Sequence, residues 1–489
     1  MHIIFINPPF KAEYGKFSRE SRSPAITKSG ALYYPLWLIY AAAYCKEKEH
    51  SVDFIDAPAK PLDDVQTLEI IQTLQCPERS LFVYGTSTPS IKSDVAFAEK
   101  VKAMYPKSFN LLVGTHPTAC IDETLKYSDA IDALAVGEYD FIVENLAVAL
   151  DSNQPLSSVK GLAFRNEKGE IVRTPSAALI EELDKIPFAS KFIKEYLNEK
   201  DYFFAAATYP MIQIFTGRGC PCKCNFCVYP QTIHGHRYRA RSPQNVVEEF
   251  AYITENFPDV KEVVLEDDTF TIDKQRVKNI CNLLIGLGIH KRLKWLCNAR
   301  VNTLDLDTMK LMKKAGCRLI IPGIESGNQE ILNNIKKGTK VEQVYPYVKN
   351  AKKAGILIHA CYMVGNMGET KETMMDTLKL ALKLNTDTAQ FFPLIPYPGT
   401  EAYTWAKENG YMSIDYDKYC KEDGTHNTVL SLPHLSATEM VDFCNYARKK
   451  YYLRPRYILH RLKVGLTNPD DLKRSLKAFS RLRMYLLKG

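Results

Sequence analysis

Three cysteines, Cys220, Cys224 and Cys227, stand at C-x3-C-x2-C spacing within Gly217-Arg218-Gly219-Cys220-Pro221-Cys222-Lys223-Cys224-Asn225-Phe226-Cys227. Three soft thiolates on one short loop suit an iron–sulfur cluster or zinc. A structural zinc site takes four protein ligands, and no second Cys/His knuckle follows at a suitable distance. A four-iron cluster on three cysteines leaves one iron open for a substrate or cofactor. Cys222 is an extra thiol that this spacing does not need, and a bland loop cysteine is its simplest reading. The other nine cysteines are scattered singly and read as small buried hydrophobes. An odd 13 cysteines in 489 residues is the wrong arithmetic for a secreted disulfide scaffold, so free thiols in a reducing, cytoplasmic setting fit better.

The loop follows an apolar run, Ile212–Thr216. That run opens a series with Glu262–Leu265, Lys294–Asn298, Arg318–Pro322, Leu357–Met363 and Thr388–Leu394, separated by helical stretches. Six such units predict an open, partial β/α barrel whose working face is the carboxyl ends of its strands. Polar residues collect at those ends: Glu266, Asp267 and Asp268 after the second strand, Arg300 after the third, and Glu325 and Ser326 after the fourth. Each of these also fits a helix cap or a turn.

The first 150 residues carry another series: His2–Asn7, Val52–Ile55, Leu81–Gly85, Asn110–Gly114 and Ile131–Val136. Short buried-type runs alternating with helical stretches predict a parallel sheet covered on both faces, in a flavodoxin-like doubly wound domain. Its strand ends carry Asn7-Pro8-Pro9, Ser87-Thr88, Gly114-Thr115-His116 and Gly137-Glu138, small and polar as a broad cofactor across them requires. The expected organisation is therefore α/β: 1–150 doubly wound, 151–205 a hairpin turning at Lys168-Gly169 plus a linker, 206–410 the barrel, and 411–489 helical. Hydrophobic content of 46% with 25% charge argues against disorder. The longest apolar run, Ala31–Cys45, has 15 residues and contains Pro35, which is short for a membrane span. The start lacks the basic region of a signal peptide.

From Met211 to about Tyr403 the chain resembles a radical S-adenosylmethionine (radical SAM) enzyme. The resemblance implies that Cys220, Cys224 and Cys227 hold a [4Fe–4S] cluster whose open iron binds SAM. An electron from the cluster then cleaves SAM to a 5′-deoxyadenosyl radical that takes hydrogen from a substrate. It implies Phe226 near the adenine and Glu266, Asp267 and Asp268 near the methionine end. It implies Arg300, Glu325 and Ser326 as further SAM contacts, with the ribose expected beside the last two. Met363–Thr370 resembles the family's glycine-rich turn, although Asn366-Met367 replaces its usual small-residue–proline pair.

The five-strand domain, Asn7-Pro8-Pro9 and Pro396–Tyr403 are similar to a subgroup with a cobalamin-binding domain ahead of the radical SAM core. Asn7, Pro8, Ser87, Thr88, Gly114, His116, Gly137 and Glu138 would then surround cobalamin. The D-x-H-x-x-G signature that brings a histidine to cobalt is absent from residues 1–150, so His116 is not expected to ligate it. The subgroup implies methyl transfer to an unactivated carbon. Cyclisation or rearrangement is the alternative, as in the anaerobic magnesium-protoporphyrin ester cyclase and hopanoid side-chain enzymes, which Tyr33–Ala43 resembles. A small-molecule substrate of lipid or tetrapyrrole type and an electron donor such as flavodoxin or ferredoxin follow as partners. RNA methylthiolation would need three clustered N-terminal cysteines, whereas Cys45, Cys76 and Cys120 are far apart. A plain electron carrier would leave the barrel unexplained.

Residues 446–489 carry 13 Lys/Arg against 2 Asp/Glu, more than the whole chain's net charge of +8. Asn468-Pro469 is a helix start, and Leu472, Leu476, Phe479, Leu482 and Leu486 make one apolar stripe. Tyr451, Tyr452, Tyr457, Ile458 and Leu462 add apolar surface beside Arg454, Arg456 and Arg461. Such a tail packs its stripe on the barrel or docks peripherally on the inner membrane face. Nucleic acid is the weakest reading, because no RNA-binding module is recognisable.

Overall fold

A computed structural model describes residues 1–22, 24, 26–27, 30–74, 79–421 and 427–467. The apolar stripe expected from Leu472 to Leu486 lies outside the described residues.

Seven strands form the first sheet: β1 (His2–Asn7), β2 (Ser51–Asp56), β3 (Leu81–Thr86), β4 (Phe109–Gly114), β5 (Ala133–Ala135), β6 (Leu162–Arg165) and β7 (Ile171–Arg173). Their order is β2-β1-β3-β4-β5-β6-β7. The first five pair in parallel; β6 and β7 are antiparallel additions, so the expected hairpin extends this sheet. The central strands are mostly apolar and buried because helices cover both faces.

The second sheet runs β8 (Met211–Ile214), β9 (Glu262–Leu265), β10 (Lys294–Ala299), β11 (Cys317–Glu325), β12 (Leu357–Val364) and β13 (Thr388–Pro393) in sequence order. All neighbours are parallel. This is the open six-stranded barrel expected. Strand β11 runs three residues past the expected Pro322, because Gly323 and Ile324 stay extended until the chain turns at Glu325 (φ +65°).

The uniformly apolar run before Cys45 becomes helix α1 (Leu36–Glu47), buried on nearly every side. A helix apolar all round belongs inside a protein. One side lies along the first sheet; the other meets the barrel, where Tyr40 Oη accepts from the Phe215 N–H at 3.0 Å and Trp37 packs edge-on against Tyr229. Among the described residues, no helix is long and apolar enough to cross a membrane.

Helix α2 (Ala437–Tyr452) lies against β13. The tyrosines that the sequence left on a tail surface are buried or half-buried here. Tyr451 Oη donates to Thr386 O at 2.7 Å, Tyr452 Oη to Ala389 O at 2.6 Å and Tyr457 Oη to Asp387 O at 2.9 Å.

Candidate active site

After β8 the chain enters a two-residue ribbon, Gly217–Arg218 against Arg239–Ala240, that closes the base of the cysteine loop. Gly219 has φ +84°, and a Cβ there would lie 2.2 Å from the Arg237 carbonyl oxygen, so the turn demands glycine. Gln231 Nε2 donates to the carbonyls of Cys224, Asn225 and Cys227 at 3.3, 3.2 and 2.9 Å. Asn225 donates through its N–H to Ile335 O and through Nδ2 to Asn334 O, at 3.2 and 3.1 Å. The loop is thus held by its backbone and by Asn225, and the thiols remain available as ligands.

Cys220 and Cys224 are buried and Cys227 half-buried. Cys220 Sγ lies 3.4 Å from Thr269 Oγ1, and Arg300 Nη1 is 3.8 Å from Cys224 Sγ. The Cys222 thiol and the Thr269 hydroxyl hold Cys220 below the usual thiol range, against the effect of burial. Burial pushes Cys227 up to about 12, although the Arg22 guanidinium acts in the opposite sense. Among the described residues no three Cys, His, Asp or Glu side chains converge as ligands of a single ion do. A cubane takes each thiolate on a different iron, so its ligands need not converge. Three thiols on one loop with Arg22, Arg300 and Lys337 around them fit a thiolate-held iron–sulfur cluster, because the cations offset the donors' charge.

Arg300 also donates through Nη2 to the Lys337 carbonyl, and Lys337 Nζ pairs with Glu325 Oε1 at 2.7 Å. That pair is buried, and Gly323 leaves it room: a Cβ on Gly323 would lie 2.3 Å from Glu325 Oε1. Burial works against the Lys337 charge, yet Glu325 and the Cys224 sulfur raise its pKa overall. Lys337 Nζ also stands 5.9 Å from the centre of the Phe226 ring. Glu266 accepts from Gln213 Nε2 at 2.9 Å and faces the barrel opening, where burial raises its pKa.

Cys220, Cys224, Cys227, Phe226, Glu266, Asp268, Arg300 and Glu325 are therefore gathered at one mouth. Two expected contacts, Asp267 and Ser326, are engaged elsewhere, and Asp268 is taken up by the cysteine loop itself. Both oxygens of Asp267 accept from Thr216, one from its N–H and one from its hydroxyl, each at 2.6 Å. The Ser326 hydroxyl lies 3.1 Å from Thr377 Oγ1 and accepts from the Asn328 N–H at 3.1 Å, so it stabilises the turn. Asp268 Oδ2 accepts from the Gly219 N–H at 3.1 Å and lies 2.8 Å from His234 Nδ1, fixing the start of the cysteine loop. Burial alone would raise its pKa; His234 and Arg22 hold it below the ordinary value. Arg22, Gln231 and Lys337 were not singled out from the sequence. Gln231 offered one signal, a polar residue one helical turn after the last cysteine; the other two offered none.

At the first sheet's strand ends, Asn7 Nδ2 donates to Asp56 Oδ1 at 2.7 Å, and Ser87 and Thr88 are buried beside it in the fold. Pro8 follows directly. Gly114 has φ +121°, and a Cβ there would meet Thr86 O at 2.3 Å. His116 Nδ1 lies 3.2 Å from Thr88 Oγ1, while its buried Nε2 has no partner. Burial lowers the His116 pKa to about 3, so the ring is neutral. Gly137 (φ +93°) opens onto space with nothing within 4 Å of a Cβ position. A buried imidazole nitrogen without a partner, on a ring that packs edge-on against Tyr416, fits a bound polar cofactor. Glu138 departs from this role: its carboxylate accepts from Arg218 at 2.7 Å, Arg239 at 2.8 Å and the Ile180 N–H at 3.0 Å. Burial would raise its pKa, but the two guanidiniums hold it down.

Those arginines belong to the ribbon under the cysteine loop, and Arg218 also pairs with Asp140 at 2.8 Å. Arg22, from the loop after β1, donates to Asp267 O at 3.1 Å and stands 3.6 Å from Asp268 Oδ1. The carboxyl ends of both sheets thus meet along one seam.

The Radical SAM superfamily profile matches residues 214–381. The chain is 31% identical to an uncharacterized methyltransferase of Pyrococcus horikoshii over 427 residues, 87% of this chain and 89% of that protein. It is 30% identical to the anaerobic magnesium-protoporphyrin IX monomethyl ester cyclase of Rubrivivax gelatinosus over 79% of this chain and 68% of that one. Its fold matches that of the radical SAM methyltransferase TsrM from Kitasatospora setae, solved with cobalamin and a [4Fe–4S] cluster. The TM-score is 0.65 at 18% identity, covering 83% of this chain and 78% of that one. The chain belongs to the radical SAM superfamily, in the subgroup that places a cobalamin-binding domain ahead of the radical SAM core.

Proposed function

We propose that this enzyme transfers a methyl group to an unactivated carbon of a hydrophobic small molecule of lipid or tetrapyrrole type. The observation that carries the reading is the shared seam, where Arg218 and Arg239 beneath the cysteine loop pair with Glu138 and Asp140 at the first sheet's strand ends. When bound there, the cluster supplies the electron that cleaves SAM and cobalamin carries the methyl group. Cys220, Cys224 and Cys227 hold the cluster. Arg300 and the Lys337–Glu325 pair orient SAM, with Phe226 against its adenine. Asn7, Ser87, Thr88, Gly114, His116 and Gly137 lie under cobalamin, with neutral His116 as a hydrogen-bonding partner rather than a cobalt ligand.

The side chains near Glu266 favour a planar apolar substrate with polar edges. Tyr33 and Phe204 pack their rings at 5.1 Å, and Tyr33 faces Glu266, Cys361 and Arg22. His359 and Gln390 add hydrogen-bonding groups on the register face of Cys361. An electron donor of flavodoxin or ferredoxin type serves the cluster.

A second reading, ring closure or rearrangement, is favoured by the identity to the ester cyclase. The experiment that decides is anaerobic incubation of reconstituted enzyme with reductant, cobalamin, methyl-labelled SAM and lipid or pigment extracts. Methyl transfer yields S-adenosylhomocysteine beside 5′-deoxyadenosine, and label in the product. Ring closure yields 5′-deoxyadenosine and an unlabelled product.

A further inference from the structure

The last described helix, α3 (Pro455–Thr467), touches the barrel along one edge. On that edge Tyr457 reaches Asp387 O, and Arg461 Nη1 lies 3.6 Å from Asp387 Oδ1. At about 100° per residue, Ile458, Leu459, Leu462 and Leu466 fall within one arc of roughly 100°, turned away from that edge. They are 43, 66, 52 and 85% exposed. Arg456 and Lys463 lie just beyond the arc, on the side away from the barrel. The concentration is unusual for the molecule. Among the described residues twelve large apolar side chains are exposed, and six of them (Tyr446, Leu453 and these four) fall between positions 446 and 466.

A basic groove adjoins this helix. It has a volume of about 440 Å³ and is lined by Tyr345, Lys349, Lys352, Lys353 and Lys383. Lys352 Nζ donates to the carbonyls of Leu384 and Asn385, and Arg454, just before α3, donates to Leu382 O and Asn385 Oδ1. Groove and helix therefore border the same corner, beside the start of β13. That is the amino-terminal end of the barrel strands, opposite the cysteine loop.

We propose that α3 and the lysine groove form one docking face for an anionic lipid bilayer. The apolar arc enters the headgroup boundary while the flanking lysines and arginines meet anionic headgroups, as interfacial helices do. The residues from 446 to 467 include seven Lys/Arg and no Asp/Glu, which matches the charge of such a surface. Docking at this end leaves the cofactor mouth uncovered. The inference stands independently of the methyl-transfer reading.

The test is flotation of the full-length protein with vesicles of phosphatidylcholine containing about one quarter phosphatidylglycerol. Binding is expected on these and not on pure phosphatidylcholine, with affinity falling at least about tenfold as salt screens the charges. Leu459→Asp with Leu462→Asp should abolish binding. Lys349→Glu with Lys353→Glu, both surface changes, should weaken it at least about thirtyfold while leaving the apolar arc intact. Both variants should keep the wild-type melting temperature and cluster iron. Failure to float on anionic vesicles at low salt overturns the proposal. So does equal binding to neutral vesicles, retention of single-stranded RNA in place of vesicles, or insensitivity to both double variants. Vesicle binding that arises only after truncation at Thr467 would show that residues 468–489 cover the arc, and would overturn it too.

Discussion

Replacing Gly219 by alanine should empty the cysteine loop of iron without unfolding the chain. The backbone there sits at φ +84°, which costs an L-residue about 1–2 kcal/mol. The added methyl would lie 2.2 Å from Arg237 O and 3.0 Å from Arg237 C, both backbone atoms of the segment that leads into the Arg239–Ala240 strand. Relieving that contact needs a displacement of about 1 Å, and such overpacking typically costs another 1–3 kcal/mol. Gly169 provides the control. It has φ +78° at the hairpin tip, and nothing lies within 4 Å of its Cβ position. Gly169→Ala therefore bears the conformational cost alone, about 1–2 kcal/mol. The difference between the two variants, about 1–3 kcal/mol, isolates the clash. Because Cys220 is the next residue, the displacement falls on a proposed cluster ligand. Iron and sulfide per chain after anaerobic reconstitution, with the thermal midpoint, measure both effects. Gly219→Ala should lose most of its iron and melt below Gly169→Ala, which should keep its full complement. Equal iron and equal midpoints in the two variants would refute the argument.

Alanine at Cys220, Cys224 and Cys227 together should remove all cluster iron, whereas Cys222→Ala should retain it; iron loss in the single variant as complete as in the triple would overturn the ligand assignment. Lys337→Met leaves the Glu325 carboxylate buried and unpaired, at a cost of about 3–5 kcal/mol. Adding Glu325→Gln should recover most of that, as read by denaturant midpoints. His116 is neutral because burial lowers its pKa to about 3 from 6.5. The unfolded chain takes up this proton first, so the folded state loses stability as pH falls from about 6.5 towards 3. His116→Gln should flatten the stability–pH slope in that window and leave the spectrum of bound cobalamin unchanged.

The sheets were legible because their strands are buried on both faces, which writes each as an unbroken apolar run such as Ile3–Ile6 or Leu81–Tyr84. The cysteine loop was legible as a candidate site because its three thiols are local and their spacing is chemical. What escaped was long-range pairing. Glu138, Arg218, Arg239 and Asp140 form one buried charge cluster across 78 to 101 residues of separation, and no local pattern announces it. The same holds for Arg22, which crosses from the first sheet to Asp268. Asp267 and Ser326 stood at the right strand ends, but local geometry turned their oxygens onto Thr216 and Thr377. The fourth barrel strand was expected to end at Pro322, whereas β11 continues to Glu325, and Gly323 leaves room there for the Lys337–Glu325 pair. The tail tyrosines misled because their hydroxyls find carbonyls beside β13, which only the folded barrel supplies.

The central claim is that the loop bearing Cys220, Cys224 and Cys227 holds a [4Fe–4S] cluster that cleaves SAM. The most direct measurement is 5′-deoxyadenosine released per chain by anaerobically reconstituted, reduced full-length protein, compared with the triple alanine variant. The account predicts release by the wild type and by Cys222→Ala, and none by the triple variant. No release from wild-type protein carrying about four irons, or release undiminished in the triple variant, would contradict it.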